Sequence, residues 1–186
     1  VAWRAGVPAF GAPPEEAMGF FDALETSGGY ALAFGSGGGA PDGASGVGTT
    51  ADFVSRTPRA AFMGLFGSYF GDWSYPDNFL RASLISPGAT LAAAWFGRPY
   101  LHLHGLGALE SFGEAFLATA NNGGAEYDAG FGARGVHQAL LGDPTLRLFV
   151  TAPPTGAAAA VETGQVVVTW APSAQATHGY HVYRKR

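Results

Sequence analysis

Cysteine is missing from this chain of 186 residues, which removes disulfide staples, thiolate metal sites and cysteine nucleophiles together. Charge is scarce as well: Asp, Glu, Lys and Arg make up 13% of the chain, about half the usual share for a globular domain. Lysine occurs once, as Lys185, and 10 cationic side chains face 14 carboxylates for a formal net charge of -4. A chain this poor in cations offers no basic patch to a phosphate backbone, so nucleic acid is not an expected partner. No apolar run reaches the roughly 20 residues that span a bilayer, because Gly, Pro or a charge interrupts each one. The first residue is Val1 rather than Met, and no charged segment followed by an apolar one opens the chain. The natural start is therefore expected upstream.

What the sequence does have is backbone punctuation, 29 Gly and 12 Pro, which excludes a helical bundle or coiled coil. The 47% hydrophobic and 13% aromatic content is enough for one sizeable core. Pro13-Pro14-Glu15-Glu16 opens a helical pattern running to about Ser27, with Met18, Phe21 and Leu24 at helical spacing. Gly28-Gly29 stops it, and Tyr30 to Phe34 reads as a short buried strand. The rhythm then repeats with a helical turn near Asp52 to Arg56, a strand over 61–66, a helix over 77–85 and a strand over 89–96. Helices are expected over 106–120 and 134–141, followed by a final strand over 145–150. Continuous apolar strands separated by helices predict an α/β domain with a mostly parallel sheet covered by helices.

The character changes at the connector 151–156, Thr-Ala-Pro-Pro-Thr-Gly, beyond which the periodicity is two. Gln165 to Trp170 carries Val-Val-Val-Thr-Trp, and Gly179 to Arg184 reads Gly-Tyr-His-Val-Tyr-Arg. Together with the preceding proline these strands resemble the opening of a fibronectin type III domain. A whole sandwich of that class needs about 100 residues, and far fewer follow the connector. The resemblance thus implies a partial, truncated all-β sandwich over 157–186, with a strand edge open to self-association.

Within 1–150, two loops follow strand ends, where ligands bind in open α/β sheets. They are Gly35-Ser36-Gly37-Gly38-Gly39 and Gly67-Ser68-Tyr69-Phe70-Gly71-Asp72-Trp73. With Gly142-Asp143-Pro144-Thr145-Leu146 near the domain end, they resemble the gingipain-type cysteine peptidases of the caspase-like fold. In that family the first loop reads Gly-His-Gly and the second Cys-x-x-Gly-Asp-aromatic. The resemblance covers roughly residues 28–150 and implies a caspase-like α/β fold. It also places Ser36 where the family has histidine and Ser68 where it has the nucleophilic cysteine. A serine hydroxyl without a base in reach is a poor nucleophile, so both members of the dyad are absent. The loop Gly-Ser-Tyr-Phe-Gly-Asp-Trp, joined to fibronectin type III segments, is also similar to that of a group of secreted bacterial proteins. That similarity implies an extracellular or cell-surface location.

The leading expectation is a peptidase-fold domain that has lost its chemistry and binds a protein, peptide or surface ligand through Ser36, Gly37, Gly38, Trp73 and Arg98. A different class stays open: a serine-type peptidase or esterase in which Ser68 attacks a carbonyl, His102 or His104 takes the proton, and Asp72 orients the base. A third is metal-assisted hydrolysis at His102 and His104, which flank Leu103, with Glu110, Glu114 or His137 as further ligands. The bland alternatives are that the histidines serve a loop or core, and that Asp72 and Asp143 accept backbone N–H bonds in turns. No cofactor is expected, because no Lys-Ser/Thr pair follows the glycines in a phosphate-loop arrangement.

Overall fold

The computed structural model describes residues 19–26, 28–95, 102–121, 138–148, 152–176, 179–180 and 182. The chain divides into two compact units, 1–148 and 149–186. The first is mixed α/β. Helix α1 (Phe20–Thr26) leads into strand β1 (Tyr30–Ser36), and three two-residue strands follow, β2 (Gly39–Ala40), β3 (Gly43–Ala44) and β4 (Gly48–Thr49). Next come α2 (Thr50–Ser55), β5 (Ala60–Phe66), α3 (Phe79–Ile85) and β6 (Ala92–Trp95). A 3₁₀ turn (His104–Ala108), α4 (Phe112–Ala120) and β7 (Ala139–Gly142) complete the unit.

The main sheet has the order β1-β5-β6-β7. β1, β5 and β6 are parallel, with Tyr30 opposite Ala60 and Phe62 opposite Ala92, while β7 joins antiparallel with Leu141 opposite Ala93. The period of two in β5 divides the core. Met63 and Leu65 face a cluster containing Phe21, Leu24, Phe53, Phe79 and Leu80 from α1, α2 and α3. Phe62 faces the other side, where Leu106, Phe112 and Ala115 pack against Ala92 and Ala94. Helices therefore cover both faces, as a sheet of continuous apolar strands requires. Fully burying one such large side chain stabilises by roughly 1.5 to 3 kcal/mol relative to leaving it exposed.

Three expectations need correction. The pattern read as one helix over 106–120 is two elements: Leu109 takes a left-handed φ of 68°, and α4 restarts on a capping box. There Ser111 accepts from the Glu114 amide and the Glu114 carboxylate accepts from the Ser111 amide. The residues read as the end of a helix over 134–141 form β7 instead; Ala139 to Gly142 complete the edge of β6, and tertiary pairing overrides local propensity. The residues before 138 lie outside the described set. Finally, 145–148 form no strand. Asp143 accepts from the Thr145 amide and hydroxyl, closing a turn, and Arg147 makes only an isolated bridge to Ser111.

The second unit holds an antiparallel hairpin, β8 (Thr155–Glu162) and β9 (Gln165–Ala171). Thr163 and Gly164 both have positive φ, 47° and 81°, the pattern of a two-residue primed turn. β8 begins at Thr155, within the stretch read as the connector 151–156. Trp170 packs edge-on against Tyr180 at 5.3 Å, and the Tyr180 hydroxyl accepts from the Ser173 amide. Gly179, Tyr180 and Val182 lie in no strand, and the rest of the expected strand over 179–184 is outside the described residues. Among the described residues no helix is long and apolar enough to cross a membrane.

Candidate functional site

The parallel register brings the two glycine loops together. Ser36 ends β1 opposite Phe66, the last residue of β5, and the Gly37 amide donates to the Phe66 carbonyl at 3.0 Å. Ser36 and Ser68 are thereby presented, both exposed, at the carboxyl ends of neighbouring strands. The loops touch through their glycines. A β-carbon on Gly39 would lie 2.2 Å from the Ser68 nitrogen, and one on Gly37 would lie 2.1 Å from the Ser45 carbonyl oxygen. Only residues without side chains allow this approach.

The Ser68 loop lacks regular structure but is firmly held. Phe70 is fully buried beneath it. The Trp95 indole, at the end of β6, donates to the Gly67 carbonyl at 2.9 Å, and Gly71 lies flat against the same ring. Asn78, 2% exposed, donates to the Phe70 carbonyl at 2.9 Å while its own oxygen caps α3 by accepting from the Arg81 amide. The Arg81 guanidinium donates to the Tyr75 and Pro76 carbonyls. Asp72 accepts from the Ser74 amide and hydroxyl, at 3.3 and 2.8 Å, which is turn chemistry. Tyr69, next to Ser68, takes a left-handed φ of 69°, a conformation that costs a non-glycine residue of order 1 kcal/mol or more. The loop's outer surface carries Tyr69, Trp73 and Tyr75, which are 58%, 46% and 47% exposed.

The histidines sit in another layer. His102 is 2% exposed, and its amide donates to the Thr119 hydroxyl on α4, which in turn donates to the Ala115 carbonyl. His104 opens the 3₁₀ turn, and the two rings are 6.0 Å apart between centroids. No hydrogen bond joins the Ser68 hydroxyl to either imidazole. Among the described residues no group of three His, Asp or Glu side chains is arranged to hold a metal ion. Glu114 is engaged in capping α4, and its bonds to Ser111, with Arg147 nearby, hold its carboxyl below the usual range. Arg98 and His137 fall outside the described residues.

A cleft of about 570 Å³ opens between α1 and the glycine hairpin, lined by Phe20, Asp22, Gly38, Asp42, Asp52 and Arg56 among others. Among the described residues, Gly38 is the sole sequence-derived site residue on its wall, and Ser68 is not on it. Arg56 is already paired with Asp22 and Glu25, so among the described residues the cleft presents no unpaired guanidinium to an anion.

Gly39, Asn78 and Trp95 organise this end of the sheet, and of these only Asn78 is not singled out by the sequence. Asn78 before the apolar run Phe79-Leu80 is a readable N-cap signal. The contacts of Gly39 and Trp95 leave no trace in local sequence. No family model matches this chain, and no curated protein or solved structure matches it.

Proposed function

We propose that unit 1 is a caspase-like domain of gingipain type that has lost its Cys/His dyad and serves as a binding or structural module, joined to a partial fibronectin type III segment in a secreted or surface-attached bacterial protein. The observation that carries this reading is the pair of serines at adjacent strand ends, where the resembled peptidases have histidine and cysteine. Among the described residues no base is hydrogen-bonded to the Ser68 hydroxyl, and a serine without such a base is a poor nucleophile near neutral pH. The loop around it is nonetheless fixed by Phe70, Asn78 and Trp95, which suits recognition of a ligand.

The test is labelling with a fluorophosphonate probe beside a Ser68→Ala variant, together with turnover of peptide and ester libraries. Neither labelling nor turnover is expected above background. Labelling that disappears in Ser68→Ala would establish a serine hydrolase in place of a binding module.

A further inference from the structure

Asp143 and Pro144 form the one Asp-Pro pair in the chain, and the structure fixes the backbone on both sides of the bond that joins them. On the amino side, Gly142 ends β7 opposite Ala92 with a φ of 96°, and a β-carbon there would lie 2.3 Å from the Leu91 carbonyl oxygen. On the carboxyl side, the Pro144 carbonyl accepts from the Gly113 amide and the Leu146 carbonyl from the Phe112 amide, each at 2.8 Å. These bonds tie the segment to the first turn of α4, and Leu146 and Leu148 pack against the cluster around Phe112. The Asp143–Pro144 bond is thus held between two anchors, while Asp143, Pro144 and Thr145 are themselves exposed to water.

The Asp143 side chain folds back along this bond. Its Oδ1 accepts from the Thr145 amide at 2.8 Å and from the Thr145 hydroxyl at 2.7 Å. The amide bond closes a ring that contains the Asp143–Pro144 bond itself, so the carboxylate stays beside its own peptide unit. Among the described residues Oδ2 accepts no hydrogen bond from the protein. A carboxylate is a competent nucleophile when its target is held in place. Proline supplies the other half, a tertiary amide whose nitrogen departs as a secondary amine once protonated.

We propose that Asp143–Pro144 is a self-cleavage site at which the Asp143 carboxylate attacks its own carbonyl carbon. Oδ2 forms a bond to that carbon, the bond from the carbon to the Pro144 nitrogen breaks, and the nitrogen takes a proton from solvent. The products are a cyclic anhydride on Asp143 and a free amino terminus at Pro144. Water then opens the anhydride to two carboxyl groups, so the net reaction is hydrolysis of one peptide bond.

The bond from the Thr145 hydroxyl, then that from its amide, holds the Asp143 carboxyl below its ordinary value of 3.8. The nucleophilic anion therefore persists in mild acid, where protons for the leaving nitrogen are plentiful. Among the described residues, the ionisable groups on the elements packed against this turn are Glu114 on α4 and Arg147 in the segment itself, which lie near each other. The cut falls just before the junction of the two units at 148 and 149. It leaves 144–148 held to α4 by hydrogen bonds and apolar packing alone, which turns a covalent attachment into a releasable one. The site shares no residue with the Ser36 and Ser68 loops, so it stands apart from the proposed function.

The experiment is incubation of the full 186-residue chain at neutral pH and at a pH about one unit above the ordinary aspartate value, read by mass spectrometry under denaturing conditions. Fragments 1–143 and 144–186 should accumulate in the acidic sample. In strong urea at the same pH the rate should fall roughly tenfold, because the unfolded pair loses its fixed geometry. Asp143→Asn keeps the turn's acceptor without the nucleophile, and Pro144→Ala keeps the nucleophile without the leaving group. Each should abolish the fragments, with thermal melting confirming the fold; where one variant does not fold, the other decides. An acidic sample that stays intact overturns the proposal. Cleavage as fast in urea reduces the site to the ordinary acid lability of an Asp-Pro pair and overturns it equally, as do fragments that survive in a folded variant.

Discussion

Gly39 and Ser68 lie in backbone contact across the mouths of two neighbouring strands: a β-carbon at 39 would sit 2.2 Å from the Ser68 nitrogen and 2.4 Å from its carbonyl oxygen. Both obstructing atoms are main chain, so no side-chain rotation can make room. Gly39→Ala is expected to destabilise the fold by roughly 1 to 3 kcal/mol, as overpacking against a fixed backbone does. Gly38→Ala is the control, because its β-carbon would meet only Ser45 at 3.9 Å. It should be neutral or stabilise by up to about 1 kcal/mol through loss of unfolded-state freedom. Urea denaturation of the two variants measures the difference; equal effects would mean that the loops yield independently.

Asn78 does two tasks that can be separated by substitution. Its oxygen caps α3 at the Arg81 amide, 3.1 Å away, and its amide donates to the Phe70 carbonyl inside the loop. Asn78→Ala loses both and should cost roughly 2 to 4 kcal/mol, the sum of a cap and a buried acceptor left unpaired. Asn78→Asp keeps the cap and removes the donor. It should fall between wild type and alanine in urea denaturation, with tryptophan emission reporting loosening near Trp73. An aspartate variant as stable as wild type would show that the Phe70 bond contributes nothing.

The contrast between these two residues shows where sequence carries structural information. The strands over 30–34, 61–66 and 89–96 were legible because each is a short, mainly apolar run ended by a glycine, and they became β1, β5 and β6 with ends shifted by a few residues. The positions of Ser36 and Ser68 at strand ends followed from those runs. By contrast, β2, β3 and β4 are two residues each, mostly Gly and Ala, and are defined by hydrogen bonding rather than side-chain pattern. β7 was hidden for another reason: Ala139-Leu140-Leu141 suits a helix locally, and only the open edge of β6 makes it a strand. The break at Leu109 could have been read, since Ser111 and Glu114 have the spacing of a capping box. The burial of His102 against α4 depends on long-range packing and had no local signal.

Arg56 joins α1 to the end of α2, donating to Glu25 through Nε at 3.0 Å and Nη2 at 2.6 Å, while Glu25 also accepts from the Thr57 amide. The bonds from Arg56, then the bond from Thr57, hold the Glu25 carboxyl below its ordinary value of 4.5. A group whose value is depressed by folding contributes stability that is present above the unfolded value and is lost as pH falls through the folded one. Glu25→Gln should therefore melt at a lower temperature than wild type at neutral pH, with the gap closing below pH 4.5 as the wild-type carboxyl takes up its proton. Because the pair is partly exposed, added salt should narrow the gap at neutral pH. Melting curves across pH for both proteins measure this, and a gap independent of pH would assign the effect to packing instead of charge.

The absence of cysteine makes the ancestry of the site chemically testable, since a single introduced thiol reacts against no background. If positions 36 and 68 are the former dyad, an imidazole at 36 should lie near a thiol at 68 and favour its thiolate. Ser36 stands opposite Phe66, two residues before Ser68, and both serines are exposed, so the replacements have room. The Ser36→His, Ser68→Cys double variant should then be alkylated by iodoacetamide at around pH 6 roughly tenfold faster than Ser68→Cys alone, because a neighbouring imidazolium lowers the thiol's pKa. The advantage should shrink as pH rises toward about 8.5, where an unassisted thiol ionises by itself. Equal rates for the two variants across that range would mean that the two side chains do not face each other. The dyad correspondence would then fail.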